Sequence, residues 1–96
     1  MDQSLEAGKF IEIDLVGMDR PYLEQKDDLY RIKAECAEKT GIPLKNMGHM
    51  FGSMNLINFY LEQEADLGKI NEGLDEFQKA HPKFKIKLCE FPIFPG

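Results

Sequence analysis

The chain has 96 residues, 43% of them hydrophobic and 30% charged, with a formal net charge of −5 at pH 7. That is enough for one domain with a single modest core, formed without metal or disulfide support. The acidic balance argues against broad nucleic-acid binding, which relies on clustered Lys and Arg. The longest uncharged run, NMGHMFGSMNLINFYL at 46–61, carries Asn, Ser, Gly and His, so no membrane-spanning helix is expected.

The opening MDQSLEAGKF has neither a basic nor an apolar signal region, and residues 1–8 read as a loose leader. KFIEIDLV then alternates, with Ile11, Ile13 and Leu15 to one side and Phe10, Glu12, Asp14 and Val16 to the other. That period of two predicts a half-buried strand, broken at Gly17-Met18-Asp19. A helix is predicted from about Arg20 to Thr40, with Asp19 as N-cap and Pro21 in its first turn. Tyr22, Gln25, Leu29, Ile32 and Cys36 form its apolar stripe, supported by Ala37. Gly41 supplies a left-handed position after the last turn, and Pro43 prevents the helix from resuming.

Two strands are predicted next, about 46–51 and 55–62, joined at Gly52-Ser53, with one long bent strand as the competing reading. The second alternates well: Ile57, Phe59 and Leu61 against Leu56, Asn58, Tyr60 and Glu62. The first, NMGHMF, is weaker because glycine and methionine are poor strand formers. Asp66 then caps a helix carrying Leu67, Ile70, Leu74 and Phe77 on one face. Gly68 and Gly73 cost this helix ~1 kcal/mol each relative to alanine, so tertiary packing must hold it, and Pro82 ends it. KFKIKLCEF alternates again, Phe84, Ile86 and Leu88 inward, Lys85, Lys87 and Cys89 outward.

Strand–helix–strand–strand–helix–strand is the ferredoxin-like order. It predicts an α+β, two-layer sandwich over residues 1–96 as a single domain. A four-stranded antiparallel sheet, order 4-1-3-2, carries both helices on one face. The inward strand residues would meet Leu29, Ile32, Leu67, Ile70, Leu74 and Phe77 in the core.

The outer sheet face then carries Glu12 and Asp14 across from Lys85 and Lys87. Paired carboxylates suit acid–base chemistry, but cross-strand charge pairing is the simpler account. The final FPIFPG places Phe91, Ile93 and Phe94 among prolines. Pro92 cannot donate to a ladder, so regular pairing should stop near Phe91. This 91–96 tail is expected to cover sheet surface, in cis or across an oligomer contact. Phe10, Leu56, Tyr60, Phe91, Ile93 and Phe94 are the expected interface.

Cys36 and Cys89 fall in different layers, so no disulfide is expected, and reduced thiols suit a cytoplasmic setting. His81 closes the second helix, where an imidazolium favours the C-terminal dipole end. His49 lies in the Met-rich strand without a second histidine or cysteine at metal spacing, so no metal site is expected. Met47, Met50 and Met54 suit a compliant binding surface or, more simply, gap-filling at a sheet edge. No phosphate loop, dinucleotide fingerprint or nucleophile elbow is present, and no cofactor is expected.

IEIDL, a glycine, EQKDDL in the first helix and TGIP before the next strand together resemble the strand–helix–strand unit of the tautomerase superfamily. The resemblance covers residues 10–51. It implies a two-layer α+β unit that assembles into oligomers. The superfamily's chemistry uses an amino-terminal proline as base, whereas Asp2 stands at position 2 and Gly8-Lys9 precede the strand here. No catalytic residue carries over.

Taken together, the sequence predicts a small non-enzymatic binding module, acting through the outer sheet face and tail on a protein partner or a second copy of itself. The competing expectation is a small-molecule enzyme or binder, tautomerase-like or of dimeric ferredoxin-like architecture, with a pocket near His49, Tyr60 and Glu62.

Overall fold

Ile11 and Ile13 alternate on one strand and can leave water only if a second layer covers that side of it. The computed structural model, which describes residues 5–16, 22–50 and 56–90 (the backbone alone at 22–27, 49 and 50), supplies that layer. In chain order the elements are β1 (Phe10–Asp14), α1 (Tyr22–Thr40), a 3-10 turn (Leu44–Asn46), β2 (Met47–Met50), β3 (Leu56–Tyr60), α2 (Leu67–Ala80) and β4 (Lys85–Cys89). The four strands form one sheet in the order β2-β3-β1-β4, and every pair in it is antiparallel. This is the predicted α+β sandwich with its ferredoxin-like strand order. β2 and β3 are separate strands paired with each other, which rules out one long bent strand.

The register follows from the alternation. Ile11 stands between Phe59 and Leu88, and Ile13 between Ile57 and Ile86. These residues pack with Leu29, Ile70, Leu74, Phe77 and Phe84 in one cluster that also takes in Cys36, Ile42 and Met47. Met47 is therefore a core residue, the simpler of its two sequence readings. Ile32, Leu67, Ile86 and Leu88 complete the predicted core as partly buried members.

The helices cross where a side chain would not fit. A methyl group on Gly73 would fall 2.6 Å from the carbonyl carbon of Lys39 and 2.8 Å from Thr40 Cα. The residue that weakens α2 as an isolated helix is thus the one that lets it dock on the end of α1. Asp66 caps α2 as predicted, its Oδ1 accepting from Lys69 N–H at 3.1 Å.

Two details differ from expectation. β1 and β4 are shorter at their ends than the alternation suggests, and β3 stops at Tyr60. A 3-10 turn occupies 44–46 because Pro43, at φ −67, accepts a 3.0 Å hydrogen bond from Asn46 N–H before β2 begins. The expectations for Asp19, Pro21, Gly52-Ser53 and the 91–96 tail lie outside the described residues.

Candidate functional site

α1 ends in a tight rearrangement. The Thr40 hydroxyl donates to the Cys36 carbonyl at 2.7 Å and accepts from Ile42 N–H at 3.2 Å. Gly41, at φ 80, takes the left-handed position predicted for it, and its N–H reaches the Ala37 carbonyl at 2.8 Å. The chain thereby turns sharply, sinks Ile42 into the core and delivers Pro43 and Asn46 to one end of the sheet.

The end of β3 builds the facing wall. Leu61 N–H bonds Lys9 O at 2.9 Å, and Gly8 N–H returns to Leu61 O at 2.7 Å, so the strand's exit stays anchored beside β1. Ala65 N–H closes a turn on Glu62 O at 3.1 Å, and Asp66 then opens α2. Between the 40–46 and 60–70 segments lies a cleft of about 320 Å³. Ile42 and Ile70, both buried, form its apolar floor, while Asn46, Tyr60, Glu62 and Lys69 bring polar groups to it. The Lys69 side chain runs along Gly41: a methyl there would meet its Nζ at 3.3 Å. Among the described residues, none of the four polar side chains is engaged in a hydrogen bond or ion pair.

Two of the three predicted pocket residues, Tyr60 and Glu62, therefore line one cleft. His49 is paired through its backbone with Ile57, a helix-side register position, whereas Tyr60 pairs with Phe10 on the opposite side. The side chain of His49 lies outside the described residues. Of the predicted interface, Phe10 and Tyr60 are half-buried and touch each other, ring centroids 5.2 Å apart. Leu56 is already buried within the single chain. Phe91, Ile93 and Phe94 lie outside the described residues.

The outer face differs most from its sequence reading. Leu56, Glu12 and Asn58, all on that side, are only 1%, 6% and 4% exposed. Glu12 pairs with Lys87 and Asp14 with Lys85, as the register predicted. Lys87 Nζ stands 3.1 Å from Glu12 Oε2. That oxygen has no neighbour aligned for a full hydrogen bond, so the nearby ammonium is what compensates it. Contact with the Glu12 carboxylate, with its charge adding, raises the Lys87 pKa. The four charges surround a hollow of about 110 Å³. Among the described residues, Glu12 is the one of the two carboxylates seen in an ion pair, with Lys87.

The cysteines take different layers, and neither is in a disulfide. Burial pushes the Cys36 thiol up to about 12, so it stays protonated and packs as a small apolar group. Among the described residues no group of three His, Cys, Asp or Glu side chains could hold a metal ion. No helix among them is long and apolar enough to cross a membrane.

Sequence reasoning missed three contributors. Lys69 reads as generic helix surface, and only the docking of α2 beside Gly41 brings it to the cleft. Gln78 straps the turn into β4, its Nε2 donating to His81 O at 3.0 Å and Phe84 O at 2.6 Å. His81 does cap α2 through its backbone, but its ring also meets Glu35 Oε2 of α1 at 3.0 Å and stacks on Phe84. Set against protein-family models, curated proteins and solved structures, the chain finds no match in any of the three.

Proposed function

We propose that this protein binds a small molecule in the cleft between the 40–46 and 60–70 segments, holding rather than transforming it. One observation carries this reading. The cleft of about 320 Å³ brings Asn46, Tyr60, Glu62 and Lys69 together over an apolar floor, with no hydrogen bond or ion pair among the described residues to occupy them. An apolar hollow with a few convergent polar groups is the usual form of a ligand site, and this one is near the small end of the ~300–1,000 Å³ range.

A second reading keeps the outer sheet face as a contact for a protein partner or a second copy. The half-buried Phe10–Tyr60 pair favours it. The burial of Leu56, Glu12 and Asn58 in the single chain leaves less of that face to cover, so we place it second.

Amide chemical shifts of the labelled full chain, titrated with a fragment library, separate the two. The cleft reading expects shifts grouped at 40–46 and 60–70, and a molar mass by light scattering that Tyr60→Lys leaves unchanged. Binding that spares those segments, or no binding at all, would overturn it. A mass that falls in Tyr60→Lys would favour the sheet-face contact.

A further inference from the structure

The cleft presents two opposite charges that do not satisfy each other. Lys69 sits in the first turn of α2 and reaches back over Gly41, while Glu62 stands on the connection leaving β3. No ion pair joins them, and among the described residues neither has another charged partner. An exposed Lys–Glu pair gains little and costs side-chain freedom, so both charges stay available to a ligand that carries the complementary groups. Both rise from the 60–70 segment, with the Lys69 side chain extended along Gly41 and no ion pair to Glu62.

Resting on the binding role proposed above, the geometry points to a small zwitterion, a free amino acid with an apolar side chain, as the ligand. The Lys69 ammonium takes the carboxylate, helped by the positive end of the α2 dipole. The Glu62 carboxylate takes the ammonium. Tyr60 and Asn46 supply neutral hydrogen-bonding groups for orientation, and Ile42 and Ile70 receive the side chain. A phosphate or other multiply charged anion fits poorly. Glu62 and Asp66 both line the cleft against a single Lys69, so a bare anion would meet more like charge than opposite. The small volume favours one amino acid over a peptide.

The test uses leucine and two analogues that each lack one of its charges, 4-methylpentanoate and 3-methylbutylamine, with inorganic phosphate as a fourth probe. Each is titrated into the labelled full chain while the amides of Gly41, Ile42 and Ala65 are followed. Leucine should shift these signals to saturation, and each analogue should bind at least about fivefold more weakly, the loss of one charge-assisted contact. Lys69→Met should bring leucine down to the level of the amine, and Glu62→Gln down to that of the acid. Both side chains are exposed, so the fold should tolerate either change. If an analogue or phosphate binds as well as leucine, the zwitterion is wrong while the cleft remains a ligand site. If the four probes and the fragment library all leave these amides unmoved, both ideas fall.

Discussion

Thr40 shows how much of the cleft rests on one hydroxyl. It is buried, and its hydroxyl serves two backbone groups, donating to Cys36 O and accepting from Ile42 N–H. Thr40→Val has nearly the same shape but cannot accept, so it leaves a buried N–H without a partner. Such a group costs about 1–3 kcal/mol, and urea unfolding should show a loss of that order. Thr40→Ser keeps both bonds and should lose only the methyl contacts. A valine variant as stable as the parent would show that Ile42 N–H finds another acceptor. Because Ile42 forms part of the cleft floor, the valine variant should also weaken whatever binds there. Nothing in the local sequence announces this role. Threonine at a helix end is common, and its two partners become visible only once Gly41 has turned the chain.

At the scale of elements, the two glycines of α2 should respond in opposite directions. Helix propensity favours alanine over glycine by ~1 kcal/mol at both positions. Gly68 is exposed, and an added methyl there would meet only Asp66 Oδ1 at an ordinary 3.6 Å. Gly68→Ala should therefore stabilise the protein by about 0.4–1 kcal/mol. At Gly73 the methyl collides with the backbone of Lys39 and Thr40, which cannot rotate away as a side chain can. Gly73→Ala should destabilise by about 1–3 kcal/mol, as overpacking does, and should disturb the cleft, since Thr40 lines it. Equal effects of the two substitutions on the urea midpoint would rule out the close helix crossing. The same pair marks where sequence reading stops. Alternation and caps made the strands, both helices and the strand order legible, because each depends on neighbours in the chain. Gly73 was legible only as a defect, and Lys69 only as surface, because their roles depend on residues more than 25 positions away. Tyr60 was found because the strand that carries it was found, and Glu62 because the alternation was read two residues past the end of that strand. His49 was grouped with them for its chemistry, and its backbone pairs with Ile57 in β3.

For the whole molecule, the sheet is covered more evenly than its sequence suggests. The two central strands bury polar as well as apolar side chains, Glu12 and Asn58 among them. Burial of Cys36 in α1 makes stability depend on pH on the alkaline side. Burial holds the Cys36 thiol up at about 12 against an ordinary 9.0. In the folded state it keeps its proton after the unfolded chain has lost it, so its contribution is complete below pH 9 and declines as pH rises towards 12. Lys87 acts in the same direction, its pKa raised from 10.5 by contact with Glu12, as does Lys9, raised mainly by its hydrogen bond with Glu90. Both ammoniums form surface ion pairs that solvent screens, so their share is small. Lys33, lowered by burial, opposes them. Cys36 should dominate, and comparing the chain with Cys36→Ala isolates it. Between pH 8 and pH 10 the parent should lose about 1.4 kcal/mol more than the variant, the free energy of one pH unit beyond the unfolded thiol's pKa. Urea midpoints at the two pH values give that difference directly. Parallel losses in parent and variant would mean that the thiol ionises in the folded protein, and hence that the layer between α1 and the sheet admits water.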